Sequence, residues 1–289
     1  MHSSNPIFNR SEGFNGRGAN RAATSGVTYP AYDAQASQAP AWGAGGPAGQ
    51  QAPYVDERRM TIDSVVQKTA ITMAVVVLTA GVTWFLTGDI TDPGALGLLY
   101  TLAMVGALGG FALAMFNSFK KVISPALVIA YAALEGVFVG AFSKAMEAQF
   151  GNTAQPGLVV GAVIGTMAAV AGTLAAYKYF DIQVGDRFRK WVVAAMFGFV
   201  AVMLLNFVLS FFGASFGVRN FGTLGLVMSL IGLGLGVLML ILDFDFVERG
   251  IAAGLPERES WRAAFGLAVT IIWIYIELLR ILAILRGND

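Results

Sequence analysis

From Val65 to the end of the chain, apolar runs alternate with short polar breaks. Each run is about as long as the roughly 20 apolar residues that a helix needs to cross a bilayer core. Seven spans are predicted, at about 66–87, 95–116, 124–146, 157–177, 191–213, 222–243 and 263–285. The breaks carry turn chemistry: TGDITDPG follows the first span, NSFKKVISP the second, FGNTAQPG the third and DIQVGDRFRK the fourth. Pro93, Pro125, Pro156 and Pro256 fall in breaks or at helix starts, where a missing N–H costs little. The pattern predicts an all-α integral membrane protein, a seven-helix transmembrane bundle covering residues 61–289.

Residues 1–60 differ. They are rich in Ala, Gly, Gln and Pro and have no periodicity. Such a segment buries too little apolar surface to offset its ordering entropy, so a disordered tail is expected. It has no continuous apolar stretch of the kind a signal peptide carries. Phe8, Phe14, Tyr29, Tyr32, Trp42 and Tyr54 are scattered through it as possible docking points.

Composition agrees with the spans. Of 289 residues, 56% are hydrophobic and 13% charged, against about 25% charged in an average soluble domain. A net charge of +1 gives no field that would favour nucleic acid. The chain has no cysteine and a single histidine, His2 in the tail, which argues against thiolate chemistry and a histidine metal site. No H-E-x-x-H, G-x-S-x-G or P-loop motif occurs, so neither an enzyme nor a cofactor is expected.

Lysine and arginine set the expected orientation. With the N-terminus inside, inner segments hold Arg58, Arg59, Lys68, Lys120, Lys121, Lys178, Arg187, Arg189, Lys190, Arg249, Arg258 and Arg262. Outer segments hold Lys144, Arg219 and Arg286. That bias predicts a cytoplasmic N-terminus and an outer C-terminus. Glycines four apart (Gly106 and Gly110, Gly136 and Gly140, Gly161 and Gly165, Gly232 and Gly236) are expected to let helix backbones approach closely.

Charge at bilayer depth costs about 2.5–3.5 kcal/mol even on insertion scales, so acidic residues there are functional candidates. At about 1.5 Å per residue, Glu135 lies roughly 16 Å from the inner edge and Glu277 roughly 13 Å from the outer edge. The two reach similar depth and could share a cavity, in which one carboxyl would stay protonated. Arg280, three residues on, could instead hold Glu277 ionised. Sequence leaves both readings open. Asp243, roughly 31 Å along the sixth span, is expected at the inner edge. There it would be simply solvated or paired with Lys120 or Lys121. Asp245 is two residues away and so points to a different side of a helix. Asn206, expected mid-span, is read as an interhelical hydrogen-bond partner.

KKVISPALVIAYAALEGVFVG, LILDFDF and a last helix ending LLRILAILRG resemble the Bax inhibitor-1/YccA family, over about residues 62–289. The resemblance implies a seven-helix bundle whose last helix is enclosed by the other six, in a bacterial plasma (inner) membrane. It also implies a pH-sensitive calcium leak, or else a regulatory scaffold that binds a membrane protease. The family senses pH with two aspartates on the last two helices. The first matches Asp243. Matching the LLRIL ending places the second at Thr270, whereas matching by acidity selects Glu277. The family's basic residue at the end of the second helix corresponds to Lys120 or Lys121. The expected function is therefore a cation leak gated by protonation, with the lipid bilayer, calcium ions and protons as partners. Proton-coupled movement of a solute past Glu135 and Glu277 is a further alternative.

Overall fold

The computed structural model describes residues 58–88, 93–151, 157–182, 184–213 and 216–287. The expected disordered tail and its aromatics lie outside the described residues, apart from Arg58, Arg59 and Met60. Seven helices follow: α1 (Ile62–Leu86), α2 (Pro93–Phe119), α3 (Pro125–Phe150), α4 (Leu158–Tyr179), α5 (Asp186–Ser210), α6 (Thr223–Ala252) and α7 (Glu259–Gly287). All seven are long and apolar enough to cross a membrane. The protein is an all-α bundle of seven spans.

Local chemistry sets the helix ends. Thr61 caps α1: its hydroxyl accepts from Ser64 N (3.1 Å), and the Ser64 hydroxyl accepts from Thr61 N (3.0 Å). Pro125 opens α3, where no N–H is needed. The start of α4 is capped from α3. The Glu147 carboxylate accepts from Leu158 N (3.1 Å) and Val159 N (2.8 Å), placing negative charge at a helix N-terminus. Lys144 does the complementary work at the end of α1, donating to Trp84 O (2.7 Å), Thr87 Oγ1 (2.9 Å) and Gly88 O (2.6 Å). Between α6 and α7 the chain turns through Gly254, whose φ of 64° suits glycine. The start of the bundle is tied to that turn by Met60 N to Leu255 O (2.8 Å), Glu257 N to Arg58 O (2.6 Å) and the Lys68–Glu257 ion pair (3.0 Å).

α7 is the central helix. It packs directly on α1, α3, α4 and α6, while α2 packs on α3 and α5 on α6. Outward side chains stay apolar, as with Leu78 and Phe85 of α1 or Phe197 and Leu204 of α5. Outward apolar surface is what a lipid solvent requires. Inside the bundle, where lipid supplies no hydrophobic drive, contact depends on close approach. A Cβ on Gly106 would sit 2.6 Å from Phe138 N, and one on Gly236 would sit 2.9 Å from Ile274 Cγ1. The glycine pairs on α2, α3 and α6 are therefore helix contacts, whereas Gly161 and Gly165 meet leucine side chains at an ordinary 3.4 Å.

Two spans differ most from the expectation. α5 begins at Asp186 and ends at Ser210, instead of running over 191–213. Asn206 therefore lies near its end, and its Oδ1 accepts from Phe216 N (3.1 Å) in the following loop instead of joining two helices. α6 continues to Ala252, nine residues past the expected end at Asp243. The ion pair from Asp245 to Arg249 supports that extension across one helical turn.

Candidate functional site

The start of α7 carries Arg262, Gly266 and Thr270 at intervals of four, on one face of the helix. That face meets α6 at Asp243. Thr270 Oγ1 donates to Asp243 Oδ2 at 2.5 Å, and a Cβ on Gly266 would sit 3.5 Å from Asp243 Oδ1. Asp243, Gly266 and Arg262 line a cavity of about 310 Å³, together with Asn117 and Ser118 from the end of α2 and Phe246 from α6. Arg262 is fixed by Glu259 (2.7 Å) and by the Lys121 carbonyl (2.8 Å). The cation in this cavity is thus Arg262. Lys120 and Lys121 offer it backbone carbonyls, and the Lys120 ammonium lies over the Phe116 ring, 5.7 Å from its centre. No ion pair joins either lysine to Asp243 among the described residues. The sequence marks Arg262 only as one of the inner cations and does not single out Asn117, although the four-residue spacing from Arg262 to Thr270 is a usable signal.

Asp245 does different work. It accepts from Arg189 of α5 (2.6 Å) and from Arg249 (2.9 Å), and Arg249 also reaches Val184 O (2.5 Å). Beside it, Tyr177 of α4 donates to Glu248 (2.7 Å). These contacts anchor α4 and α5 to α6 and leave Asp245 no spare charge. Asp245→Asn should loosen α5. Because both arginines are half-exposed, the loss should be about 1 kcal/mol, seen as a melting temperature lower by about 2–4 °C in detergent. No change in melting temperature would mean that the network is not an anchor.

Glu277 and Arg280 form a buried pair on α7, 3.4 Å apart, with side chains 3% and 2% exposed. Gly232 of α6 makes room for the carboxylate, since a Cβ there would lie 3.0 Å from Glu277 Cδ. Trp273 closes the same face by donating to Gly232 O (3.0 Å). Glu135 is elsewhere. It lies on α3 against Gly110 of α2, where a Cβ would sit 2.5 Å from Glu135 Oε2. It lines a cavity of about 220 Å³ between those helices. The cavity that Glu135 and Glu277 were expected to share does not form, because α3 turns one acid toward α2 and α7 turns the other toward α6. A further cavity, of about 340 Å³ between α1, α3, α4 and α7, has an apolar lining and no acidic residue. Among the described residues no three acidic or imidazole groups converge as a metal site would require.

The model of the family described as Bax inhibitor 1 like matches residues 5–287. The chain belongs to the Bax inhibitor-1 family. A search of curated proteins finds no match. The family match begins at residue 5, so most of the first 60 residues, which the sequence resemblance had left out, fall inside it. In this Bax inhibitor-1 family member, Asp243 meets Thr270 of the last helix through a hydrogen bond, while Glu277 is taken up by Arg280. The contact follows the register of the LLRIL ending. One carboxylate and one hydroxyl stand where two carboxylates were the alternative.

Proposed function

We propose that this Bax inhibitor-1 family protein is a non-enzymatic, pH-sensitive membrane leak for calcium or another cation, controlled by Asp243. The observation that carries the reading is the state of that carboxylate. Asp245 and Glu277 are both neutralised by arginines, whereas Asp243 lines a cavity and is held by a neutral hydroxyl. A single carboxylate suits conduction, which needs contact firm enough for entry and weak enough for exit. The same reading puts the basic end of the bundle in the cytoplasm and the protein in a bacterial inner membrane, with the positive-inside bias as support.

The sign of the pH response follows from charge. Ionised Asp243 attracts a cation beside Arg262, and protonated Asp243 does not. Calcium flux into dye-loaded proteoliposomes should therefore rise from acidic to alkaline buffer. Asp243→Asn should flatten that rise. Thr270→Asp should break it into two steps, since coupled carboxyls titrate as a pair. Wild-type flux no greater than that of empty liposomes at every pH would overturn the reading.

A further inference from the structure

One stripe of α2 borders both acidic cavities. Ala107, Gly110 and Ala114 line the cavity of Glu135, and Asn117 with Ser118 line the cavity of Asp243. The spacing of three and four residues keeps all of them on one helix face. The two cavities therefore lie in series along α2, each holding one carboxylate. What stands between them is a pair of rings. Tyr131 of α3 lines the Glu135 cavity, and Phe265 of α7 lines the Asp243 cavity. The rings meet edge to face, with centres 5.0 Å apart and planes at 77°. Both are buried, and Ile123, Val128, Leu113 and Trp261 pack around them.

Glu135 makes no ion pair with any described residue. It stands one helical turn beyond Tyr131, on the same face of α3. A lone carboxylate in a cavity attracts a cation, and ring faces bordering the approach attract one too. A dry pair of rings also bars hydrated ions until it parts, which is how apolar constrictions gate. We infer that Glu135 is a second cation station in series with Asp243, and that the Tyr131 and Phe265 rings are the constriction between the two. This deepens the leak reading and rests on it for the identity of the passing species. The constriction itself can be tested without any flux.

The cysteine-free chain makes the test direct. Ser118→Cys reports the Asp243 cavity and Ala114→Cys the Glu135 cavity. Each variant is placed in lipid nanodiscs and treated with a cationic, membrane-impermeant methanethiosulfonate. Ser118→Cys should react readily in every background. Ala114→Cys should react slowly with both rings present. With Phe265→Leu, which keeps apolar bulk, it should react about tenfold faster, the factor expected when one aromatic contact is lost from an opening equilibrium. Tyr131→Phe keeps the ring and should leave it slow. An unchanged Ser118→Cys rate in the Phe265→Leu background shows that the fold is intact. If Ala114→Cys reacts equally fast with and without the Phe265 ring, the constriction is overturned, whatever the flux. If the labelling pattern appears but wild-type liposomes do not leak, the constriction stands and the leak reading falls.

Discussion

Glu277→Ala should destabilise the bundle by about 3–5 kcal/mol, the penalty typical of removing one partner from a buried ion pair. The reason is the residue left behind. The Arg280 side chain is 2% exposed and has Glu277 as its ion-pair partner at 3.4 Å. Its Nη2 already has no hydrogen-bond partner among the described residues. α7 packs against four other helices, which prevents the guanidinium from reaching water by a simple rotation. The helix would have to shift, or carry an unpaired charge in the membrane core. Glu277→Gln keeps the volume and an acceptor oxygen and should cost less. Changing both residues to methionine should restore much of the loss, since an apolar pair needs no desolvation. The check is an unfolding curve in mixed micelles, with helicity followed as denaturing detergent is added. A midpoint for Glu277→Ala equal to wild type would show that the pair holds nothing in place.

That pair was visible in the sequence as two ionisable residues three apart on one helix face. The seven spans were visible too, because a bilayer demands long apolar runs and this chain supplies them. What could not be read was which helix faces which. Hydropathy ended the sixth span at Asp243, because charge looks like water. The helix continues because Asp245 and Arg249 neutralise each other along it while Asp245 also takes Arg189 from α5. The same blindness started the fifth span five residues late, at Trp191, since its first turn is charged and holds Arg189, which joins that network. Glu135 and Glu277 looked like neighbours because depth is one-dimensional. Direction around each helix sends them to α2 and α6. The cavity of Asp243 takes its lining from α2, α6 and α7, so its arginine, Arg262, emerged only once those three helices were seen together.

Gly136→Ala should be among the most damaging single methyls added to the bundle. The backbones of α1 and α3 are in close contact there, at Gly136 and again at Gly140. A Cβ on Gly136 would overlap the Thr79 hydroxyl and sit 2.5 Å from Val76 O and 3.0 Å from Val76 Cα. One turn on, a Cβ on Gly140 would overlap the Ala80 carbonyl oxygen and sit 2.8 Å from Ala80 Cα. Backbone cannot rotate aside as a long side chain can, so the helices must separate. Overpacking of this kind costs about 1–3 kcal/mol, and Gly136→Leu should exceed it. Gly234 supplies the control. It is also in mid-helix, but nothing lies within 4 Å of its would-be Cβ. Gly234→Ala removes only glycine's backbone freedom and should be neutral or raise stability, by up to about 1 kcal/mol. Gly136→Ala should therefore lower the unfolding midpoint while Gly234→Ala leaves or raises it, and an equal fall in both would refute the close-approach account. The consequence extends past stability. α3 carries Tyr131 and Glu135 toward α2, so forcing α3 away from α1 shifts the Tyr131 ring against Phe265. Gly136→Ala should then speed labelling of Ala114→Cys as well, linking a close backbone contact between α1 and α3 to the seal between the two acidic cavities.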